Sequence, residues 1–412
     1  MWDSPAFMRG ALPMLRTILR HRDLTVLVAC SMLLGLAYSF VIPFMSMFGT
    51  LEVGMSSLAF GTFMTVTSLA SIVLSTWLAR WSDTRFSRKA LLLVGAGAGT
   101  LGYVGYALVR EVWLLTLIGS LVLGVSSIMF SQVFALGRDV LGRSDVPASE
   151  APLYMNVIRS AFALSWTFGP ALAAWVMQGH SYRGTFFAAA LLCALFLVVV
   201  LAFVPRLPPS ALTHTSVLQV PLRQALRSPG LLAHFVGFTL YFSCSTMAMM
   251  NLPLLVLNTL HGTQAEVGLV YSIAPVFELP LMFYLGWLAT RADQARLIRG
   301  AFGIAVVYYA GLALVGAPWH VYPLQLLSAA VVAVTQGVAI TFFQNFLPGQ
   351  AGTATNIYSS ASRIGATAGY LLFGAFTEQV GHRGVFLLCA LVSSLGLGVL
   401  VAFRPRAARV VA

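Results

Sequence analysis

Glu278 stands apart from the other acids among the 12 Asp and Glu of this 412-residue chain. Every other one falls in a polar segment, at a terminus or at the end of an apolar run. Glu278 lies in the middle of the run 266–289. At membrane depth an ionised carboxylate costs at least ~2.5 kcal/mol, and the cost falls when the group is protonated or paired. A carboxyl that alternates between the two states is what coupling to protons requires. A permanently protonated or Arg-paired structural acid, and a substrate ligand without coupling, are the competing readings. Pro275 and Pro280 flank it and weaken the local backbone hydrogen-bond ladder, which leaves carbonyls available to a cavity.

Arg159 and Arg363 are the basic residues inside apolar runs. Arginine stays charged at any relevant pH. Each must therefore face water, pair with an acid or bend its head towards the interface. Trp166 follows Arg159, and Tyr370 follows Arg363, at almost two helical turns, so each pair shares a helix face. A guanidinium fork beside a flat ring suits a polyol: hydroxyls take the hydrogen bonds and the apolar C–H face stacks. Snorkelling and packing account for the same residues without a ligand. Tyr241 and Asn251 share a side of 231–257 with Cys244 and Ala248, and Gln336 shares a side of 321–347 with Gln325. Amides at this depth either meet a polar solute or bridge helices. Asp83, Arg85, Arg88 and Lys89 form a loop cluster that reads, on its own, as a charge run setting topology. No Walker motif, HExxH or nucleophile elbow is visible. The expectation is therefore no enzyme, no ATP hydrolysis, no cofactor and a gradient as the energy source.

The elements that position these residues follow from composition. The chain is 59% hydrophobic and 9% charged, against about 45–50% and about 25% in soluble domains. That excludes an ordinary soluble enzyme, a disordered chain and a nucleic-acid module. Apolar runs recur at 24–48, 57–79, 90–109, 112–137, 152–178, 184–204, 231–257, 266–289, 298–316, 321–347, 355–377 and 384–403. Each is long enough to span a bilayer, and backbone groups in lipid must be satisfied internally, so each is a helix. The net charge of +12 comes from 24 Lys and Arg. With the N-terminus inside, Arg110, Arg183 and Arg383 fall in outer loops, Arg159 and Arg363 within helices, and the other basic residues on the inner side. This asymmetry predicts both termini in the cytoplasm. Met1 to Asp23 shows no small-residue cleavage site before an apolar run, so no cleaved signal peptide is expected. Cys30, Cys193, Cys244 and Cys389 lie far apart in apolar runs and read as buried free thiols.

The longest interruption, 205–230, holds Pro205, Pro208, Pro209, Pro221 and Pro229 with Arg206, Arg223 and Arg227 and no acid. It divides the chain into an N-terminal six-helix bundle (1–204), a cytoplasmic linker (205–230) and a C-terminal six-helix bundle (231–412). The halves echo each other: Asn156 and Asn356, then Arg183-Gly184-x-Phe186 and Arg383-Gly384-x-Phe386. Together these point to a duplicated unit in an all-α membrane protein of twelve transmembrane helices.

The segment Ala79-Arg-Trp-Ser-Asp83-Thr-Arg85-Phe-Ser-Arg88-Lys89 resembles the loop motif of the major facilitator superfamily. Asp83, Arg88 and Lys89 match it, while Ala79 and Phe86 stand where that family usually has Gly. A weaker copy is Gly286-Trp-Leu288-Ala289-Thr290-Arg291, and Gly169-Pro170 resembles part of the family's efflux-associated signature. The Arg that many members carry in helix 4 is absent. Gln132-Val-Phe-Ala-Leu-Gly-Arg138-Asp139, Val157-Ile-Arg159, Leu164-Ser-Trp166, Glu278-Leu-Pro280 and Phe343-Gln344-x-x-Leu-Pro348-Gly349 are similar to the bacterial sugar efflux transporters over nearly the whole chain. The resemblance implies the major facilitator fold and a conformational latch at Asp83, Arg88 and Lys89. It also implies proton-coupled efflux of sugars or small glycosides by a monomer in the bacterial inner membrane. The partners expected are a small solute and the lipid bilayer, without nucleic acid. Efflux of hydrophobic drugs is the runner-up, and a transporter-like nutrient sensor a distant third. A drug cavity is mostly apolar, whereas a sugar needs several convergent donors and acceptors, which the Asn, Gln, Ser and Arg faces supply.

Overall fold

The computed structural model describes residues 22–82, 87–144, 151–204, 228–347 and 350–403, and among them there is no β-strand. The helices are α1 (Arg22–Glu52), α2 (Ser57–Ser82), α3 (Arg88–Leu108), α4 (Val112–Leu141), α5 (151–179), α6 (182–203), α7 (Pro229–Thr259), α8 (Gln264–Ala289), α9 (Gln294–Leu314), α10 (Pro318–Phe346), α11 (351–380) and α12 (382–402). The twelve apolar runs therefore map one to one onto helices, with ends shifted by a few residues. Large apolar side chains point outwards, among them Leu101, Trp175, Leu191, Leu314 and Leu395. Such a surface is solvated by lipid tails, and the chain is a multi-pass membrane protein.

Side chains close the helix ends where the backbone leaves donors and acceptors unpaired. Ser87 caps α3 by accepting from Ala90 N at 3.2 Å, and Asp293 caps α9 by accepting from Ala295 N at 2.9 Å. Thr263 and Glu266 form a reciprocal capping box at α8. At the other ends, Arg110 donates to the carbonyls of Tyr106, Ala107 and Val109, and Arg383 to those of Ala313 and Val315. Cations there also meet the negative end of the helix dipole. Two of the three outer-loop arginines thus have structural positions at the ends of α3 and α9.

The α5–α6 and α11–α12 connections are single kinks. The first passes through His180 (φ −136°, ψ 15°) and Ser181 (φ 54°, ψ −166°), the second through Gly381 (φ 69°, ψ 173°). They sit just before the two Arg-Gly-x-Phe echoes. Among the described residues, π-helical turns end α1 (Phe48–Glu52) and α7 (Leu255–Thr259), and others lie near the start of α4 (Ile118–Leu123) and past the middle of α10 (Ala333–Val338). These are the first and fourth helices of each set of six.

Packing forms two compact units. One holds the described parts of Met1–Ile42, Thr67–Gly169 and Gly179–Leu212; the other holds those of Pro43–Val66, Pro170–Gln178 and Thr213–Ala412. In the first, Ser31 on α1 donates to Ile158 O at 2.6 Å. A Cβ on Gly35 would lie 2.7 Å from Phe162 O, so α1 and α5 meet backbone to backbone. In the second, Phe238, Phe302, Phe343 and Tyr358 join α7, α9, α10 and α11 with ring centroids 5.3–5.9 Å apart around Phe238. Within the same unit, Gly61 of α2 meets α11, where a Cβ would lie 2.6 Å from Tyr370 O and 2.7 Å from Gly374 Cα. Ser57 N donates to Glu378 Oε1 at 2.7 Å, so the carboxylate caps the start of α2. All four cysteines are free and buried. Cys244 Sγ lies 3.4 Å from Cys389 O, at the α7–α12 contact.

Candidate functional site

The polar groups of the second unit gather around the π-helical turn of α10. Such a turn takes in an extra residue and leaves the helical ladder locally out of register. Tyr358 of α11 meets this turn: its hydroxyl lies 2.6 Å from Thr335 O and 3.0 Å from Gln336 Oε1. Thr335 Oγ1 in turn lies 2.9 Å from Val331 O and 3.3 Å from Tyr241 Oη. Tyr241, Thr335 and Tyr358 are buried, whereas Gln336 is exposed. Gln325 is buried against Tyr308 Oη at 3.5 Å, so the two α10 amides, placed on one side by simple helical spacing, end in different surroundings. Gln325 precedes the π-helical turn, whereas Gln336 lies within it.

Glu278 is half-buried on α8. Met282, one turn further on the same face, packs at Gly337, its Cε 3.7 Å from where a Cβ would stand. This contact joins α8 to the π-helical turn of α10. Of the residues singled out from sequence, the structure links Gln336 and Tyr241 through Tyr358 and Thr335, which sequence reasoning missed; among the described residues, no hydrogen bond joins either of them to Glu278.

Asn251 is fully buried. It donates from Nδ2 to His382 O at 2.8 Å, while its Oδ1 lies 2.8 Å from His382 Nδ1. The amide thereby clamps the α11–α12 kink to α7, and Asn258 Nδ2 reaches His382 Nε2 at 3.5 Å. In the first unit, Arg159 is exposed and sets its guanidinium over the Phe134 ring of α4, 5.8 Å from the centroid. Trp166 is half-buried on the same helix. Arg363 is exposed on α11 and Tyr370 half-buried.

The loop cluster resolves into two separate attachments. Arg88 Nε pairs with Asp139 on α4, and its Nη1 lies 3.4 Å from Gln132 Oε1. The Asp139 and Gln132 side chains are buried. Removing Arg88 would take its ion-pair partner from the buried Asp139 carboxylate. Lys89 Nζ donates to Leu201 O at 2.9 Å and Val204 O at 2.6 Å, closing the last turn of α6. Asp83 lies outside the described residues. Gln132 and Asp139 stand on one face of α4 at two-turn spacing. A polar pair at that spacing in an otherwise apolar run was the signal for the Arg88 partner. Among the described residues no cluster of His, Cys, Asp and Glu could hold a metal ion.

The sequence profile of the Major Facilitator Superfamily matches residues 27–369. A protein of Deinococcus radiodurans is 36% identical over 90% of this chain and 95% of its own length. Sugar efflux transporter A of Dickeya chrysanthemi is 30% identical over 90% of this chain and 94% of its own length. Multidrug resistance protein MdtG of Enterobacter lignolyticus is 24% identical over 90% of this chain and 89% of its own. In fold, the chain is similar to the crystal structure of the nucleoside transporter NupG, with a TM-score of 0.78 at 12% identity, covering 94% of this chain and 100% of that one.

Proposed function

The chain belongs to the major facilitator superfamily, and from that premise we propose that it is a secondary transporter exporting sugars or small glycosides by alternating access, driven by protons. The observation that carries this reading is its end-to-end similarity to sugar efflux transporter A, at 30% identity. Two six-helix bundles, 1–204 and 231–412, rock about a central site, with the linker 205–230 and both termini in the cytoplasm. The protein acts as a monomer in the inner membrane and uses no cofactor. Glu278 carries the proton. Arg159 with Trp166, Arg363 with Tyr370, and Gln336 contact the solute. Tyr241 and Asn251 act on it through the groups they hold, Thr335 and the α11–α12 kink. Asp83, Arg88 and Lys89 form the cytoplasmic latch, in which Asp139 and Gln132 join them.

Drug efflux is the second reading, favoured by the more distant similarity to MdtG. The exposed guanidinium of Arg159 and the exposed amide of Gln336 argue against it, because a site for apolar cations gains little from donor forks. Flux in proteoliposomes decides between them. D-glucose, D-galactose, lactose and ethidium are offered with and without an imposed pH gradient. Accumulation of at least one sugar on imposing the gradient is the expected outcome. Movement of ethidium without any sugar would replace the proposal by the drug reading.

A further inference from the structure

The proton inventory at Tyr358 decides which atom Gln336 offers to a solute. A phenol carries one proton. Two groups compete for it: Thr335 O at 2.6 Å and the Gln336 amide at 3.0 Å. A backbone carbonyl can only accept, and this one is the shorter contact. It takes the proton. With Oε1 of Gln336 towards Tyr358 Oη, a second acceptor would then face an oxygen with no proton left for it. A half-turn of the amide about its last bond leaves its shape almost unchanged. Nε2 then donates to Tyr358 Oη, and every group is satisfied. The same half-turn directs Oε1 away from Tyr358, towards the open side of α10.

Gln336 is exposed, and the next residue, Gly337, packs against Met282 of α8. We infer that Tyr358 is a positioning residue: it locks the Gln336 amide with its oxygen presented to the solute, so that Gln336 recognises a hydroxyl by accepting its proton. The inference rests on the sugar-export reading and narrows it. The solute must donate at this point, which a sugar hydroxyl does and an ether, a ketone or a fluorinated carbon does not. Thr335, whose carbonyl takes the Tyr358 proton, lies in the π-helical turn beside Gln336.

The test uses full-length protein reconstituted in vesicles and the three sugars above, each with its monodeoxy and monodeoxyfluoro analogues. Fluorine keeps the size of a hydroxyl and cannot donate. At one ring position, fluorine and hydrogen are both expected to weaken binding about tenfold in the wild type, the loss of one hydrogen bond of about 1.4 kcal/mol. Gln336→Met, at an exposed position, removes the penalty at that position alone. Tyr358→Phe frees the amide to turn, so the fluoro analogue recovers while the deoxy analogue stays weak. A fluoro analogue that binds like the parent sugar at every position, or a Tyr358→Phe protein that weakens all analogues equally, overturns the inference and leaves sugar export standing. A wild-type protein that binds none of the three sugars overturns both.

Discussion

The proposed roles of Glu278 and Arg159 each rest on a single functional group, and a conservative change tests each. Glu278→Gln imitates the protonated carboxyl. It is expected to keep equilibrium counterflow of sugar within about twofold and to lose accumulation driven by a pH gradient, because a neutral amide has no proton to exchange. Efflux against a gradient and counterflow in the same vesicles provide the check. Persistent accumulation would make Glu278 structural, and loss of counterflow as well would make it a binding or folding residue. Arg159→Lys keeps the charge and loses the planar fork that lies over Phe134. A loss of about tenfold in sugar affinity is expected, the value of one charge-assisted hydrogen bond, with normal amounts of protein in the membrane. Unchanged affinity would show that the guanidinium only reaches for the interface.

At the scale of elements, the two hairpin kinks offer a controlled comparison. Ser181 and Gly381 hold nearly the same backbone conformation, φ 54° with ψ −166° and φ 69° with ψ 173°. Glycine adopts it without a steric penalty, whereas a residue with a Cβ pays roughly 1–3 kcal/mol. Ser181→Gly is therefore expected to stabilise the protein by about 1 kcal/mol, and Gly381→Ser to destabilise it by a similar or larger amount. Thermal unfolding in detergent of the two variants and the wild type measures both signs. Equal and opposite shifts would also support the duplication that the Arg-Gly-x-Phe echoes suggested. Those echoes were legible in the sequence, as were all twelve helices. The π-helical turns in α1, α4, α7 and α10 were not, because no local composition distinguishes a π turn from an α turn in an apolar run.

For the whole molecule, the prediction concerns sidedness. The charge bias predicts the linker inside, and the four native cysteines are buried, so a single new thiol can be read without interference. Thr215→Cys is expected to react with a membrane-impermeant maleimide only after the cytoplasmic face is opened, in inverted vesicles. Labelling in intact cells would reverse the topology.

The sequence by itself determined the environment, the helix count and the candidate chemistry. A lipid-exposed backbone leaves only helices possible, charge cannot be hidden in apolar runs, and Glu278 is conspicuous for that reason. The partnership of Arg88 with Asp139, the clamp of Asn251 on His382, and the meeting of Gln336, Tyr358 and Thr335 were decided by tertiary structure alone. Helical periodicity says which residues share a face, but not which faces of distant helices meet. A π-helical turn also breaks the register that simple spacing assumes: Gln325, before the turn, meets a buried tyrosine, while Gln336, within it, is exposed.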